Sequence, residues 1–378
     1  MTFHRMALLP ALVLLSFTVP STGQPKMKLY TEGKHNQGEL KYINQIPVLI
    51  VAGSPKEMGE QAGALTAGPI KHLLTLADKF KKQFGVDKVW PVLAPLCRGM
   101  TKQFPPNHLE ELEAFVKKNG MDRDLAIIAQ VIGDAKHLGG CSTLVVGPTR
   151  SLNGPLFGRN TDLPSVGVLD KYVLVTVYKP RGKRSFAVVG YPGLLGATVG
   201  MNDAGLALTI NDSYSSKDDA PRFNVRGVPT GFLYRRVLAE CATVAEAEKL
   251  VRATQRAGLH IATLCDPKHS AILEVTTKTV VVCLMKDGII ARTNHFRSDE
   301  LCTDKNCRRY NIMEKCLDNK KFTLSDVHKQ MDAVNQGPFT VQTVIFEPRS
   351  RTLHLAFGDT PASKLPLRTL QLDALFKE

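Results

Sequence analysis

The sequence predicts an α+β protein in which hairpin-built sheets are layered against helical blocks. Three observations predict it. Before Cys141, apolar residues recur mostly at helical spacing. From Cys141 onward, short apolar runs alternate with turn residues. The helices of that second part come in blocks between hairpins, whereas a doubly wound parallel sheet would place one after each strand.

The elements follow in order. Tyr42 to Ala52 (YINQIPVLIVA) reads as one strand. Ser54 is suited to cap the next helix, with Pro55 at its first position. Helical spacing continues through Leu73, Leu74, Leu76, Ala77 and Phe80, and further helices are predicted over 89–100, 109–118 and 123–135. After Cys141 come strands over 142–147, 155–160, 171–178, 185–190 and 206–211, the first two joined by a hairpin turn at Asn153-Gly154. Gly190, Gly193, Gly196 and Gly200 read as bends between strands, and Gly205 as a turn. Helices over 230–240 and 244–253 precede strands over 260–265, 271–275, 279–284 and 288–292. Helices over 308–317 and 323–333 and strands over 341–346 and 352–357 complete the chain.

With 378 residues, 43% of them hydrophobic, the chain can bury a substantial core. Its start reads as a secretory signal. His4 and Arg5 precede an apolar run from Met6 to Val19, then small residues to Gly23, so a mature chain is expected to begin near Gln24. That run, roughly 14 residues, is too short to span a bilayer, which needs about 20, and no transmembrane segment is expected. A secreted or lysosomal location follows, periplasmic or extracellular if the source is bacterial. The formal charge of +14 is spread over scattered Lys and Arg. It suits peripheral contact with anionic lipid; with no aromatic interleaving and no nucleic-acid motif, no nucleic-acid partner is expected. Among eight cysteines, Cys302, Cys307 and Cys316 crowd one polar segment, and two of these are expected to pair. Cys265 and Cys283 read as buried thiols. No CxxC pair or histidine cluster has metal-ligand spacing, and no cofactor or metal is expected.

The chemistry centres on Gly139-Gly140-Cys141. Two glycines open backbone conformations closed to other residues, and a distorted Gly140–Cys141 peptide suits attack by the Cys141 thiol on the Gly140 carbonyl. Cutting there leaves Cys141 with nucleophile and base on one residue, because an α-amine titrates near roughly 7.7–8.0 and a thiol near about 8.5. The plainer alternative is a loop followed by a strand-buried thiol. If the strands on either side of Asn153-Gly154 pair, Arg159 and Asp162 return to the Cys141 end of the sheet. Arg159 then lowers the thiol pKa and Asp162 holds or orients the amine. Asn211 and Asn294 end strands and are suited to donate to an oxyanion. Asn211 also begins a formal glycosylation sequon, a use that excludes the buried one. His295 reads as a packing or hydrogen-bonding residue, since the α-amine already supplies a base.

Several stretches, in order, carry a resemblance. They are Pro47 to Gly53, Glu57 to Gly63, Cys141 with Arg159-Asn160-Thr161-Asp162, Gly190 to Gly196 leading into Gly200 to Leu208, and Thr293-Asn294-His295-Phe296. Together they resemble the penicillin (isopenicillin-N) acyltransferase-like family of N-terminal nucleophile hydrolases, related to choloylglycine hydrolase and acid ceramidase. The resemblance implies a four-layer αββα sandwich and self-cleavage between Gly140 and Cys141. The product is then a heterodimer of a helix-rich segment, 24–140, and a catalytic segment, 141–378, forming one domain after a signal over 1–23. It implies Cys141 as nucleophile, Arg159 and Asp162 beside it, Asn211 and Asn294 near the oxyanion, and a late arginine, Arg308 or Arg309. The expected activity is hydrolysis or transfer of an amide-linked acyl group of a small molecule through an S-acyl-Cys141 intermediate. The alternative is a secreted binding protein that retains the fold and has lost the reaction.

Overall fold

The structure, a computed structural model, describes residues 29–83, 90–135, 139–165, 167–315 and 321–377. The expected signal segment over 1–23 lies outside the described residues. The chain opens with a meander of β1 (Gly33–His35), β2 (Gly38–Ile43) and β3 (Ile46–Gly53). The stretch read as one strand, Tyr42 to Ala52, is thus two. Asn44 and Gln45 take φ of 48° and 64°, the left-handed pair of a two-residue hairpin turn, so that Ile43 pairs with Ile46. No glycine marks this turn, and apolar Ile43 and Ile46 stand directly on either side of it. Helix α1 (Pro55–Leu65) begins as expected on Ser54, whose hydroxyl accepts from the Glu57 N–H while Glu57 accepts from the Ser54 N–H. Helices α2 (Ala67–Gln83), α3 (Trp90–Met100), α4 (Pro106–Asn119) and α5 (Arg123–Ala135) complete the helical part.

Strands β4 (Gly140–Val146), β5 (Leu156–Asp162), β6 (Leu174–Pro180), β7 (Phe186–Gly190), β8 (Val199–Asn202) and β9 (Ala207–Asp212) follow. Next come α6 (Thr230–Glu240), α7 (Val244–Ala253), β10 (His260–Cys265), β11 (Ser270–Val275), β12 (Val280–Leu284) and β13 (Ile289–Arg292). Then α8 (Arg308–Glu314), α9 (Leu324–Ala333), β14 (Thr340–Glu347), β15 (Thr352–Phe357), β16 (Arg368–Gln371) and α10 (Leu372–Lys377) close the chain. Strand β8 replaces one of the expected glycine bends: Gly200 lies inside a strand, where a Cβ would stand 2.5 Å from the Ala187 carbonyl oxygen. The β4–β5 hairpin forms, but Val146 pairs with Leu156, so residues 147–155 make a long connection in place of a tight turn at Asn153-Gly154.

The strands build two sheets. One runs β1-β2-β3-β6-β7-β8-β9-β10-β11-β12 and the other β13-β4-β5-β14-β15-β16. Among the strands of the described residues, only β3 and β6 pair in parallel. Side-chain alternation along each strand then defines the layers. On β4, Val145 joins Val48, Val177, Ile261 and Phe346 in a core between the sheets. Its neighbours Leu144 and Val146 face the other way, packing with Met313, Val327 and Met331 of α8 and α9. The outer face of the ten-stranded sheet packs Leu49, Leu208 and Ala262 against residues of α1, α4, α6 and α7. The result is the expected order of helices, sheet, sheet, helices.

The cysteines depart from expectation. Cys302 and Cys307 are both free, so no bridge joins them, and Cys316 lies outside the described residues. Cys265 is buried in the core, whereas Cys283 is only partly buried because β12 is an edge strand, covered from one side.

Candidate active site

Strand parity decides what surrounds Cys141. It shares the inter-sheet face of β4 with Thr143 and Val145, and across the hairpin Thr143 pairs with Arg159 while Gly140 pairs with Asp162. Arg159 points to the same inter-sheet space. Its Nη2 donates to Cys141 Sγ at 3.0 Å, Nη1 to Asn211 Oδ1 at 2.8 Å and to Ile210 O at 2.7 Å, and Nε to Thr161 Oγ1 at 3.1 Å. Arg159 is 3% exposed, and no carboxylate is among these partners.

Asn211 reaches this point from β9 in the other sheet. Its Oδ1 also accepts from Thr143 Oγ1 at 3.1 Å, and its Nδ2 donates to Thr293 O at 3.0 Å. An arginine donates only, so these bonds fix which end of the carboxamide is oxygen. Asn211 is fully buried, which removes the glycosylation reading for the folded chain. Asn294 follows β13. Its Oδ1 accepts from the Cys141 N–H at 2.9 Å and from Arg309 Nη2 at 2.9 Å, and its Nδ2 donates to Asp212 O at 2.9 Å. Each carboxamide therefore keeps one N–H hydrogen beyond the bond it makes.

Asp162 has even parity on β5 and faces the helical layer. Its carboxylate accepts from Gln336 Nε2 at 2.7 Å and Thr340 Oγ1 at 2.6 Å, and lies 3.8 Å from Arg309 Nη1. The amide nitrogen of Cys141 goes to Asn294 instead. Of the two candidate arginines, Arg309 is the one that reaches the site: Nη1 donates to the Cys141 carbonyl oxygen and to Ser142 Oγ. His295 has no hydrogen bond to any of these groups.

Sequence reasoning missed Tyr214, whose hydroxyl donates to the Gly139 carbonyl, and Gln336, which lies beyond α9 and carries no motif. It also passed over Asp212, one residue after Asn211. The reading of the glycines changes as well. Gly140 is not in the left-handed region; its lack of a side chain serves close approach, since a Cβ would stand 2.2 Å from Gln336 Nε2.

Burial sets the electrostatics. It pushes the Cys141 thiol up to about 11, with Arg159 pulling down and Asp212 and Asp162 pushing further up. The expected lowering by Arg159 is present but outweighed, because Cys141 is only 6% exposed. Burial likewise raises Asp162 and carries Asp212 to about 7, the latter helped by Asp134. Tyr214 rises to about 12.

The two-sheet sandwich brings thiol, guanidinium and carboxamides together where strands of both sheets end. The chain belongs to the acyl-coenzyme A:6-aminopenicillanic acid acyl-transferase family, whose model matches residues 149–370, more than half of its length. Solved structures similar to it include a Caenorhabditis elegans ortholog of N-acylethanolamine-hydrolyzing acid amidase (16% identity, 55% of this chain and 93% of that one, TM-score 0.45). A mutant conjugated bile acid hydrolase from Clostridium perfringens is 13% identical over 62% of this chain and 93% of its own, with a TM-score of 0.42. Penicillin V acylase from Agrobacterium tumefaciens is 14% identical over 58% and 83%, with a TM-score of 0.40. A comparison with curated protein sequences found no match.

Proposed function

We propose that the chain cuts itself between Gly140 and Cys141 and then works as a cysteine amidohydrolase or acyltransferase on a small amide. The observation that carries this reading is the pair of bonds on Cys141: Arg159 Nη2 at 3.0 Å from its sulfur and Asn294 Oδ1 at 2.9 Å from its nitrogen. A buried backbone N–H needs a partner in any case, but burying a guanidinium against the sulfur is costly and is nothing an inert core thiol needs.

In the cut, the sulfur adds to the Gly140 carbonyl carbon, the carbon–nitrogen bond breaks, and the nitrogen keeps the thiol's proton. Water then hydrolyses the thioester, leaving a carboxyl on Gly140 and a free thiol and α-amine on Cys141. In turnover the amine takes the thiol proton and the sulfur attacks the substrate carbonyl. The leaving amine departs with that proton, and water or a second amine takes the acyl group. Arg159 stabilises the thiolate, and Asn294 Oδ1 orients the α-amine. The second N–H hydrogens of Asn211 and Asn294 are the candidate oxyanion donors, and Asp162 supports the site through Arg309 and Gln336. The thiol's high pKa belongs to the uncut chain; removing the cover over it relieves the desolvation that raises it.

Mass spectrometry of the purified protein tests the reading. Two fragments, one beginning at Cys141, are expected, and Cys141→Ala should leave one chain with no turnover. An intact single chain inert to thiol reagents would overturn it, and an Ala variant that still separates would assign the cut to an outside protease.

A further inference from the structure

Gly139 and Gly140 fill the space directly before the thiol, and their surroundings are tight. A Cβ on Gly140 would stand 2.2 Å from Gln336 Nε2 and 3.4 Å from Arg309 Nη2. A Cβ on Gly139 would stand 2.0 Å from the Asp162 carbonyl oxygen and 2.7 Å from Leu163 Cδ2. A side-chain end can often swing aside, but Gln336 is pinned. Its Nε2 donates to Asp162 Oδ2 at 2.7 Å and its backbone N–H to Thr340 Oγ1 at 2.8 Å. Thr340 Oγ1 donates in turn to the same carboxylate at 2.6 Å. Asp162 is fully buried, so moving the carboxamide breaks a charge-assisted bond in a place where water does not replace it.

The next step rests on Cys141 being the nucleophile proposed above. During self-cutting the acyl group carried on sulfur is that of Gly140; during turnover it is that of the substrate. Both species are thioesters of the same cysteine, so the α-carbon of the substrate's acyl group stands where Gly140 Cα stands. We infer that Gln336 is a specificity-determining residue that admits acyl groups with an unbranched α-carbon and excludes those carrying a branch where an L-residue has its Cβ. The substrate class is then an amide whose acyl group carries no branch at that position of its α-carbon.

Two measurements test this together. In the first, Gly140→Ala stops self-cutting, and adding Gln336→Gly to that variant restores it. In the second, the self-cut protein is given hexanoyl and 2-methylhexanoyl amides of one fluorogenic amine, each 2-methyl enantiomer separately. The enantiomer whose methyl takes the Cβ position is turned over about 100-fold less efficiently in kcat/KM than the straight chain, as expected of a pocket judging one methyl group. That ratio falls below about ten-fold in Gln336→Gly. Gln336→Asn, which keeps a carboxamide but withdraws it by one methylene, reduces the ratio in the same direction and covers the case of a Gly variant that does not fold. Reading a ratio separates specificity from any general loss through Asp162. A chain that cuts itself but turns over straight and branched amides equally overturns the role of Gln336 and leaves the nucleophile in place. A chain that neither cuts itself nor acts on either amide overturns both.

Discussion

At the scale of single residues, the site is a contest between burial and two positive charges, Arg159 foremost and Arg309 behind it. Burial pushes the Cys141 thiol to about 11 while Arg159 opposes it from 3.0 Å. Asn294→Ala removes the oxygen that holds the Cys141 nitrogen and one candidate oxyanion donor, and should leave the chain uncut; in that chain, alkylation of Cys141 by iodoacetamide should be slow at pH 7. It should rise with pH as far as about pH 11, since the thiolate is the reacting form. Arg159→Gln removes the foremost of these charges and shifts that profile to still higher pH. In the self-cut protein the same substitution should lower turnover by about 10²–10³-fold, the range for losing one preorganised donor to developing negative charge. A profile unmoved by Arg159→Gln would show that the guanidinium serves packing alone. Arg159 and Asn211 were legible because they lie on strands, where position follows from the chain; Asp162 returns to the Cys141 end as expected, but on the other face of β5, where it accepts from Gln336 and Thr340 and not from the Cys141 nitrogen. Arg309 was narrowed to one of two, since which of two adjacent helical residues faces the sheet depends on how α8 docks. Gln336 was not legible at all: it sits in a connection whose path is set by α9 and β14, and nothing local marks it.

At the scale of elements, long periodic segments could be read and sparse ones could not. The bounds of α5, α6, α7, β10 and β15 match the expected ranges because each combines strong periodicity with a definite stop. Strands β1 and β8 are only three and four residues long, too short for period-two alternation to stand out, and the β2–β3 turn lacks glycine. Contacts between elements lay further out of reach. Helix α6 has Pro229 at its cap position with no side-chain bond of its own. Its first-turn donors are met instead from α5, where Asp134 accepts from the Thr230 N–H at 2.9 Å and also from the Thr230 hydroxyl. Burial raises Asp134 to about 6 and Asp212 to about 7. Both carboxyls hold a proton in the folded chain that they release in the unfolded chain near about 3.9. The folded state therefore binds more protons between roughly pH 4 and 7, and this contribution to stability falls as pH rises through that window. Urea midpoints measured across it should decline with pH, and Asp134→Asn with Asp212→Asn should flatten the decline. An unchanged slope in the double variant would assign the effect elsewhere.

At the scale of the whole molecule, the proposed cut divides the covalent chain without dividing the core. Residues from both sides of Cys141 share the layer outside the ten-stranded sheet: Met58, Ala62 and Phe115 pack with Leu233, Val237 and Leu264. Across the same junction, Glu111 of α4 and Arg235 of α6 form an ion pair at 2.5 Å, with both side chains almost fully buried. Removing one partner leaves the other charge buried without compensation, a loss of about 3–5 kcal/mol. Glu111→Ala should accordingly lower unfolding stability by that amount, and in the self-cut protein the two fragments should separate at lower denaturant than in the unaltered one. Equal denaturant midpoints for the variant and the parent would mean that the pair contributes nothing to holding the halves together.

Gly140 is already the first residue of β4, paired with Asp162, and the Cys141 nitrogen already rests on Asn294. The bond proposed to break therefore lies inside a formed strand rather than in a tether leading to one, and Arg159, Asn294, Arg309 and Gln336 around it belong to the same chain. Maturation on this plan has no encounter step. Its half-life is the same in a dilute sample and a crowded one, and the new chain start comes into existence at the place where it will work.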